Sequence, residues 1–295
     1  MPELPEIEVL RRTVAPVLVG RVLRVKTIGP HDMRARGSGR GEGRCKPGAW
    51  MNRNELLDGA TVQSVERHGK RLAILATDGR CLVIQLGMSG QLIAGPSTTK
   101  PHQHLVWSII GGHRCPSSLV LAQDFLVFRD PRRFGGVVSY ESKDELQKSW
   151  TAELGPDALT INASALQSVL CGSRAIKVAL LDQATIAGVG NIYADESLHV
   201  AGIDPRMRCD QISKADVKNL AQAIRLILNR ATKHGGSTLR DYRSGLGAKG
   251  AAQALHAVYG HAGQPCAQCG ETLQGTRLGG RATVWCPFCQ PRRRR

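Results

Sequence analysis

Leu72-Ala-Ile-Leu-Ala-Thr77, Asp78-Gly79 and Cys81-Leu-Val-Ile-Gln-Leu86 decide the fold of the first half of the chain. Two short apolar segments flank a turn dipeptide. Segments of the same kind recur on either side at Arg21 to Ile28, Thr61 to Arg67, His104 to Ile110, Leu119 to Arg129 and Val137 to Tyr140. Gly111-Gly112 and Gly135-Gly136 supply further turns. Strands that follow one another without intervening helices predict an antiparallel sandwich or barrel. Residues His31 to Asn54, rich in Arg and Gly, interrupt the set and read as a surface loop basic enough to touch a phosphate backbone.

Helical patterns bracket this β region. Upstream, Ile7, Leu10, Val14 and Leu18 recur at helical spacing and Gly20 is a stop. From about Lys143 the pattern turns helical again, with segments at Ser164 to Leu170, Ile176 to Leu181 and Asn191 to Val200, the last capped by Asn191 and ended by Gly202 and Pro205. Ser213-Lys214-Ala215-Asp216 resembles a capping box, and an apolar stripe from Val217 to Leu228 runs towards Gly235-Gly236. Ser237 to Ala257 lacks periodicity and reads as a long loop of functional length. The fold class expected is α+β, in four regions: 1–142 a helix and antiparallel β-sandwich, 143–236 helical, 237–258 a loop, and 259–295 a metal-binding hairpin with a basic tail.

Lys and Arg outnumber Asp and Glu by 40 to 24, a formal net charge of +16 that includes the run Arg292 to Arg295. Such a balance suits a polyanion, and nucleic acid fits better than an acidic membrane surface because no lipid-facing amphipathic segment accompanies it. No apolar run reaches membrane-spanning length and the N-terminus lacks a basic-then-apolar signal pattern, so an intracellular protein is expected. Of nine cysteines, five are scattered and four form the pairs Cys266-Ala-Gln-Cys269 and Cys286-Pro-Phe-Cys289. That spacing fits a four-cysteine zinc ribbon holding one structural ion, whereas a redox dithiol would explain only one pair.

The opening Met1-Pro2-Glu3-Leu4-Pro5-Glu6 admits two readings. Pro with Glu in a first turn is ordinary helix initiation. Removal of Met1 would instead expose a secondary amine with a pKa near ~8, able to attack a sugar carbon and form an iminium, with Glu3 and Glu6 beside it for proton transfer and charge stabilisation. Three other motifs are individually weak. Gly188-Val-Gly-Asn191 leads into a helix whose amides could hold a phosphate. Asp130-Pro-Arg132-Arg133-Phe134-Gly135 sets two arginines beside an aromatic, which suits a salt-bridged turn or a DNA wedge. His68-Gly69-Lys70-Arg71 could be a plain basic turn.

Taken in order, these strings resemble the bacterial formamidopyrimidine-DNA glycosylases of the Fpg/Nei family over almost the whole length. The resemblance rests on Pro2 to Glu6, Lys70, Leu86-Gly-Met-Ser-Gly90, Asp130 to Gly135, Ile176-Lys177, Leu180-Leu-Asp-Gln183, Gly188 to Glu196 and the four cysteines. It implies a helix–two-turn–helix module in the helical region, an active site between domains, and a bifunctional glycosylase and abasic-site lyase acting as a monomer on duplex DNA with oxidised bases, in the cytoplasm at the nucleoid. By the same resemblance Pro2 is the nucleophile at C1′, Glu3 the acid and Glu6 its support. Lys70 serves proton transfer in β-elimination, and Arg281 serves δ-elimination and phosphate binding. Met88, Arg132 and Phe134 fill the gap left by the flipped nucleotide, while His102, Arg132, Arg133, Lys177 and Asn191 contact DNA. Leu4 and the Asp130 to Gly135 string resemble the oxidised-purine branch (8-oxoguanine, formamidopyrimidines) more than the oxidised-pyrimidine, endonuclease VIII branch. The chain departs from the family at Gln103, His261 and the loop from Arg243 to Ala257, and in the length of its 31–54 insert. A non-catalytic zinc-finger binder of damaged DNA is the alternative of a different kind.

Overall fold

A computed structural model describes residues 2–30, 51–96, 101–111, 124–238 and 241–292. Most of the 31–54 insert, the 112–123 stretch, and the end of the basic tail therefore lie outside the described residues. The chain forms two compact units: Pro2, Glu6–Glu153 and Gly235–Gly250 in the first, and Glu3–Pro5, Leu154–His234 and the described residues from Ala251 onward in the second.

In the first unit, alternating apolar residues build the expected antiparallel sandwich. The strands are β1 (Val22–Ile28), β2 (Val62–His68), β3 (Arg71–Ala76), β4 (Cys81–Gln85), β5 (Gln91–Gly95), β6 (Gln103–Ile110), β7 (Phe125–Arg129) and β8 (Gly136–Tyr140). They form two four-stranded sheets, ordered β1-β6-β7-β5 and β2-β3-β4-β8, with antiparallel pairing throughout. Leu23, Leu72, Ile84, Trp107 and Phe128 meet in one buried core. Helix α1 (Leu4–Leu18) adds Ile7, Leu10, Val14 and Leu18, each at most 1% exposed, as its 3.6-residue spacing predicts. Strand β5 has no counterpart among the expected segments. It is an edge strand paired, among the described strands, with β7, and its Gln91-Leu-Ile-Ala-Gly95 has one β-branched residue and no aromatic, so the strand signal of the equally short β4, β7 and β8 is missing.

Two segments join this unit that the sequence reading placed elsewhere. Helix α2 (Lys143–Glu153) buries Leu146 and Trp150, one turn apart. Its residues reach the second sheet: the Trp150 ring lies 5.5 Å from that of His68, Glu153 pairs with Arg71 at 2.7 Å, and Ser149 and the Tyr140 hydroxyl are 2.9 Å apart. The division thus falls after Glu153 rather than at 142. The described residues of 235–250 also belong here, where the backbone of Gly245 and not side-chain periodicity makes the connection. The Ala94 N–H donates to the Gly245 carbonyl at 2.7 Å, and the Gly245 N–H to Thr13 Oγ1 at 2.9 Å. A Cβ at Gly245 would lie 2.3 Å from Val14 Cγ1, so only glycine permits this approach.

The second unit is helical. Helices α3 (Ala163–Val169), α4 (Ile176–Leu181), α5 (Asn191–Val200) and α6 (Lys214–Lys233) share a core of Leu166, Leu180, Ile192, Leu198, Leu220 and Leu228. Helix α6 starts where the capping-box pattern predicts: Ser213 Oγ accepts from the Asp216 N–H at 3.1 Å. The strands β9 (Gln274–Leu278) and β10 (Arg281–Trp285) form a hairpin. Among the described residues no helix is long and apolar enough to cross a membrane.

One ion cluster ties α1 to the second sheet of the first unit. Glu8, 4% exposed, accepts two hydrogen bonds from Arg11, one from Arg12 and one from Arg67 on β2. Burial opposes its charge, but the three guanidinium donors outweigh that and hold the carboxyl at about 2. A carboxyl depressed from 4.5 in the unfolded chain contributes stability that is fully present above pH 4.5 and is lost as the pH falls towards 2. Glu8→Gln is expected to remove that part of the acid limb. Urea denaturation at pH 7 and at pH 3 should show a smaller difference for the variant than for the parent, and an unchanged difference would contradict the assignment.

Candidate active site and zinc centre

In the second unit the third residue of the chain caps a helix. The Glu3 carboxylate, 3% exposed, accepts from the N–H groups of Gly190 (2.8 Å), Ile192 (3.0 Å) and Tyr193 (3.4 Å) at the start of α5. The Leu4 N–H donates to the Gly188 carbonyl at 3.1 Å. Gly190, and not Asn191 as the sequence suggested, is the N-cap residue, and no side chain of its own neighbourhood caps it. The cap comes from a carboxylate 187 residues earlier, which local pattern reading cannot see. Glycines make room for it: a Cβ at Gly190 would lie 2.3 Å from the Glu3 carboxyl carbon, and one at Gly188 would lie 2.4 Å from Leu4 Cδ1. Helix N-termini favour anions for the reason they favour this one.

In the first unit Pro2 is buried, and Glu6 is fixed from outside its own helix. Its Oε1 accepts from the Ser237 N–H at 2.6 Å, and its carbonyl accepts from the Tyr242 hydroxyl at 3.1 Å. Burial, reinforced by the Glu6 charge, raises the Tyr242 phenol well above its ordinary range and keeps it a donor. Lys70, half-buried, stands at the β2–β3 turn beside Gly69, whose φ is +55°.

Met88, Arg132 and Phe134 sit on two interlocked loops of the first unit. Asp130, fully buried, accepts from Ser89 Oγ, from the Arg132 N–H at 3.2 Å and from the Gly135 N–H at 2.7 Å. The loops touch through backbone: a Cβ at Gly87 would lie 2.4 Å from the Phe134 carbonyl carbon, and one at Gly135 would lie 2.6 Å from the Gln85 oxygen. Held this way, Phe134 is 55% exposed and Met88 37%, while the Arg132 guanidinium lies 4.8 Å from the Phe134 ring centroid. Arg133 and His102 are exposed, both with left-handed backbone at φ +55° and +63°.

Lys177 requires a correction. Expected on a DNA phosphate, it is fully buried within the second unit, with Nζ 2.7 Å from Asp195 Oδ1 and donating to the Ala282 carbonyl at 2.7 Å. Burial lowers the lysine and raises the aspartate to about 6, against their mutual attraction. Asp195 Oδ2 also accepts from the Val284 N–H at 3.1 Å. The pair therefore grips β10 just beyond Arg281, which is itself exposed. Arg281 follows Gly279-Gly280, both at positive φ (+53° and +74°), the geometry of a tight two-residue hairpin turn. Asn191 is half-buried, with Oδ1 buried and without a hydrogen-bond partner.

The four finger cysteines converge, their sulfurs all within 4.8 Å of one another. Cys269 and Cys286 Sγ are 3.4 Å apart, and Cys266 and Cys289 Sγ 4.0 Å. A tetrahedral zinc with bonds of about 2.3 Å places its sulfurs about 3.8 Å apart, so one structural ion fits. His199 Nε2, 3.6 Å from Cys266 Sγ, supports that ligand. Sequence reading missed His199, Asp195 and Glu196, whose carboxylate accepts from the N–H groups of Ala257, Val258 and Tyr259. Three polar residues on the buried side of one short helix were the available signal.

Three family descriptions match the chain: the formamidopyrimidine-DNA glycosylase N-terminal domain over residues 1–137, its H2TH domain over 154–243, and a zinc finger found in FPG and IleRS over 263–292. A formamidopyrimidine-DNA glycosylase of Thermomicrobium roseum is 42% identical over 99% of both chains, and one of Laribacter hongkongensis is 38% identical over 98% of this chain and 100% of its own. The crystal structure of MutM (Fpg) from Thermus thermophilus superposes with a TM-score of 0.76 at 34% identity, covering 98% of each chain. Lactococcus lactis Fpg in complex with abasic-site DNA gives 0.79 at 28%, covering 99% of this chain and 100% of that one. The chain belongs to the formamidopyrimidine-DNA glycosylase family, a family of DNA-repair enzymes with a zinc finger.

Two expectations follow from this geometry. Cys286→Ser should abolish stoichiometric zinc, read by metal analysis of the purified protein, and full retention would refute the four-cysteine site. Asp195→Asn leaves the Lys177 ammonium buried without its counter-charge and should cost about 3–5 kcal/mol in urea denaturation. Pairing Lys177→Met with Asp195→Leu should recover most of the loss, and a double variant as unstable as the single would show that charge is not the cause.

Proposed function

We propose that the chain is a bifunctional DNA glycosylase and abasic-site lyase that removes oxidised purines from duplex DNA through Pro2. What carries the proposal is Glu3. Its carboxylate is held by three backbone N–H groups of one helix, immediately after a buried proline, in a chain of this family. Once Met1 is removed, the Pro2 nitrogen attacks C1′ of the lesion nucleotide and the bond from C1′ to the base nitrogen breaks. Protonation of the sugar ring oxygen, for which Glu3 is the acid, opens the ring and leaves an iminium between Pro2 and C1′. Loss of a C2′ proton then expels the 3′-phosphate, and Lys70 serves that transfer. A second elimination expels the 5′-phosphate with Arg281 on the leaving group, and water returns the free amine.

Damaged DNA as substrate has support of two kinds. The exposed Phe134 and Met88 on rigid loops suit the space left in a stack by a flipped nucleotide. Related structures include L. lactis Fpg with Fapy-dG DNA and MutM with carbocyclic 8-oxo-G DNA, at 28% and 27% identity, which favours purine lesions. Arg132, Arg133, His102 and Asn191 are proposed DNA contacts, and the net charge of +16 accords with them.

Borohydride trapping tests the reading. On a duplex carrying 8-oxoguanine opposite cytosine, a covalent adduct mapped to Pro2 is expected, with weak capture on an oxidised-pyrimidine duplex and none on intact DNA. Pro2→Gly should reduce capture strongly while damaged DNA is still bound. Unimpaired capture by that variant would remove Pro2 from its role, and capture on the pyrimidine duplex alone would transfer the specificity to the other branch.

A further inference from the structure

The turn that carries Lys70 is fastened on three sides. Arg67 reaches from the end of β2 in two directions: its Nε donates to Glu8 Oε2 on α1 at 3.1 Å, and its NH1 donates to the Gly69 carbonyl at 3.0 Å, the peptide that leads into Lys70. On either side of Lys70 the chain is held against α2, through the His68 ring on Trp150 and the Arg71 ion pair with Glu153. Arg67 and Glu8 side chains are 7% and 5% exposed, so the connection is shielded from competing water. Glu8 has other partners in Arg11 and Arg12, but these lie three and four residues along its own helix, with side chains 33% and 52% exposed. Of its three arginines only Arg67 links it to the turn.

From these contacts we infer that Arg67, seated on Glu8, is a positioning residue: it fixes the Gly69–Lys70 peptide against α1, the helix that begins directly after Pro2 and Glu3. This rests on the role proposed above for Lys70. A lysine side chain has four rotatable bonds, and its usefulness at one proton depends on where its Cα is held. The planar guanidinium is suited to the task because it bonds a carboxylate and a carbonyl from one rigid fork, which an ammonium cannot reproduce in the same plane. Glu8 acts as the fixed point. Its charge, satisfied by three arginines, stays in place across the pH range of enzyme assays, so the support does not titrate with the reaction.

A double-mutant cycle on the full-length, zinc-loaded protein separates positioning from general stability. The readout is single-turnover cleavage of abasic-site DNA, with binding of the same duplex measured separately. A displacement of about 1 Å at a reacting group can cost on the order of 100-fold. Arg67→Met is therefore expected to slow cleavage by about 10- to 100-fold, with DNA affinity changed far less. Lys70→Ala should slow it comparably, and adding Arg67→Met to Lys70→Ala should cost little more, because the anchor has no function without the lysine. Arg67→Lys, which keeps the charge and is the milder change if Arg67→Met folds poorly, should still be slow. Arg11→Met, which weakens the Glu8 cluster without touching the turn, should cleave nearly as the parent does. Losses at Arg67 and Lys70 that multiply, or an Arg67→Lys variant at parental rate, would overturn the positioning role. Parental cleavage by Lys70→Ala would remove the lysine from the mechanism and this inference with it, whereas parental cleavage by Arg67→Met beside a slow Lys70→Ala would refute the inference alone.

Discussion

A carboxylate seated on the open end of a helix constrains more of this protein than any other contact. The first turn of α5 has N–H groups without partners in the helix itself, and Glu3 meets three of them while being shut off from water. Because the acceptor is the third residue of the chain, the short segment Glu3–Pro5 belongs to the second unit. Gly188 and Gly190 are required by the same contact, since a methyl group at either would strike Leu4 or Glu3. A stretch that resembles a phosphate-binding loop is, in this structure, already occupied by the protein's own anion.

The second unit repeats the device. Glu196 accepts three successive N–H groups where the chain approaches the finger, and Asp195 shares itself between Lys177 and the Val284 N–H. Buried acids, each matched to backbone donors or a cation, act here as connectors between segments far apart in sequence. Their desolvation is compensated only if every donor stays in place, so these contacts favour one arrangement over near alternatives. Zinc contributes a connection of the same kind at Cys266, Cys269, Cys286 and Cys289, with His199 joining the metal ligands to α5.

What was legible in the sequence was what repeats at short range. The spacing of Ile7, Leu10, Val14 and Leu18 gave α1, the β-branched runs gave seven of the eight strands among the described residues of the first unit, and Ser213 with Asp216 gave the start of α6. The paired Cys-x-x-Cys strings specified the metal. Illegible were contacts between distant segments. The cap on α5 comes from Glu3, Lys177 finds its partner in Asp195 rather than outside the protein, and the Gly245 backbone bonds the Thr13 hydroxyl and the Ala94 N–H, contacts that leave no periodic trace. Edge strand β5 was hidden for another reason: Gln91-Leu-Ile-Ala-Gly95 has one β-branched residue and no aromatic, so it lacks the run that marked β4, β7 and β8 at the same length.

The glycines of the two exposed loops carry an implication for inheritance as well as for structure. Gly87 and Gly135 lie so close to the opposite loop's backbone that neither loop has a shape of its own. Asp130 completes the union by bonding Ser89 on one loop and Gly135 on the other. Met88 and Phe134 are thus parts of a single cassette written in two separate places in the gene. A recombination event or a designed graft that exchanged one loop alone would bring in a partner fitted to a different neighbour, and variation at these tips should pass between lineages as a pair.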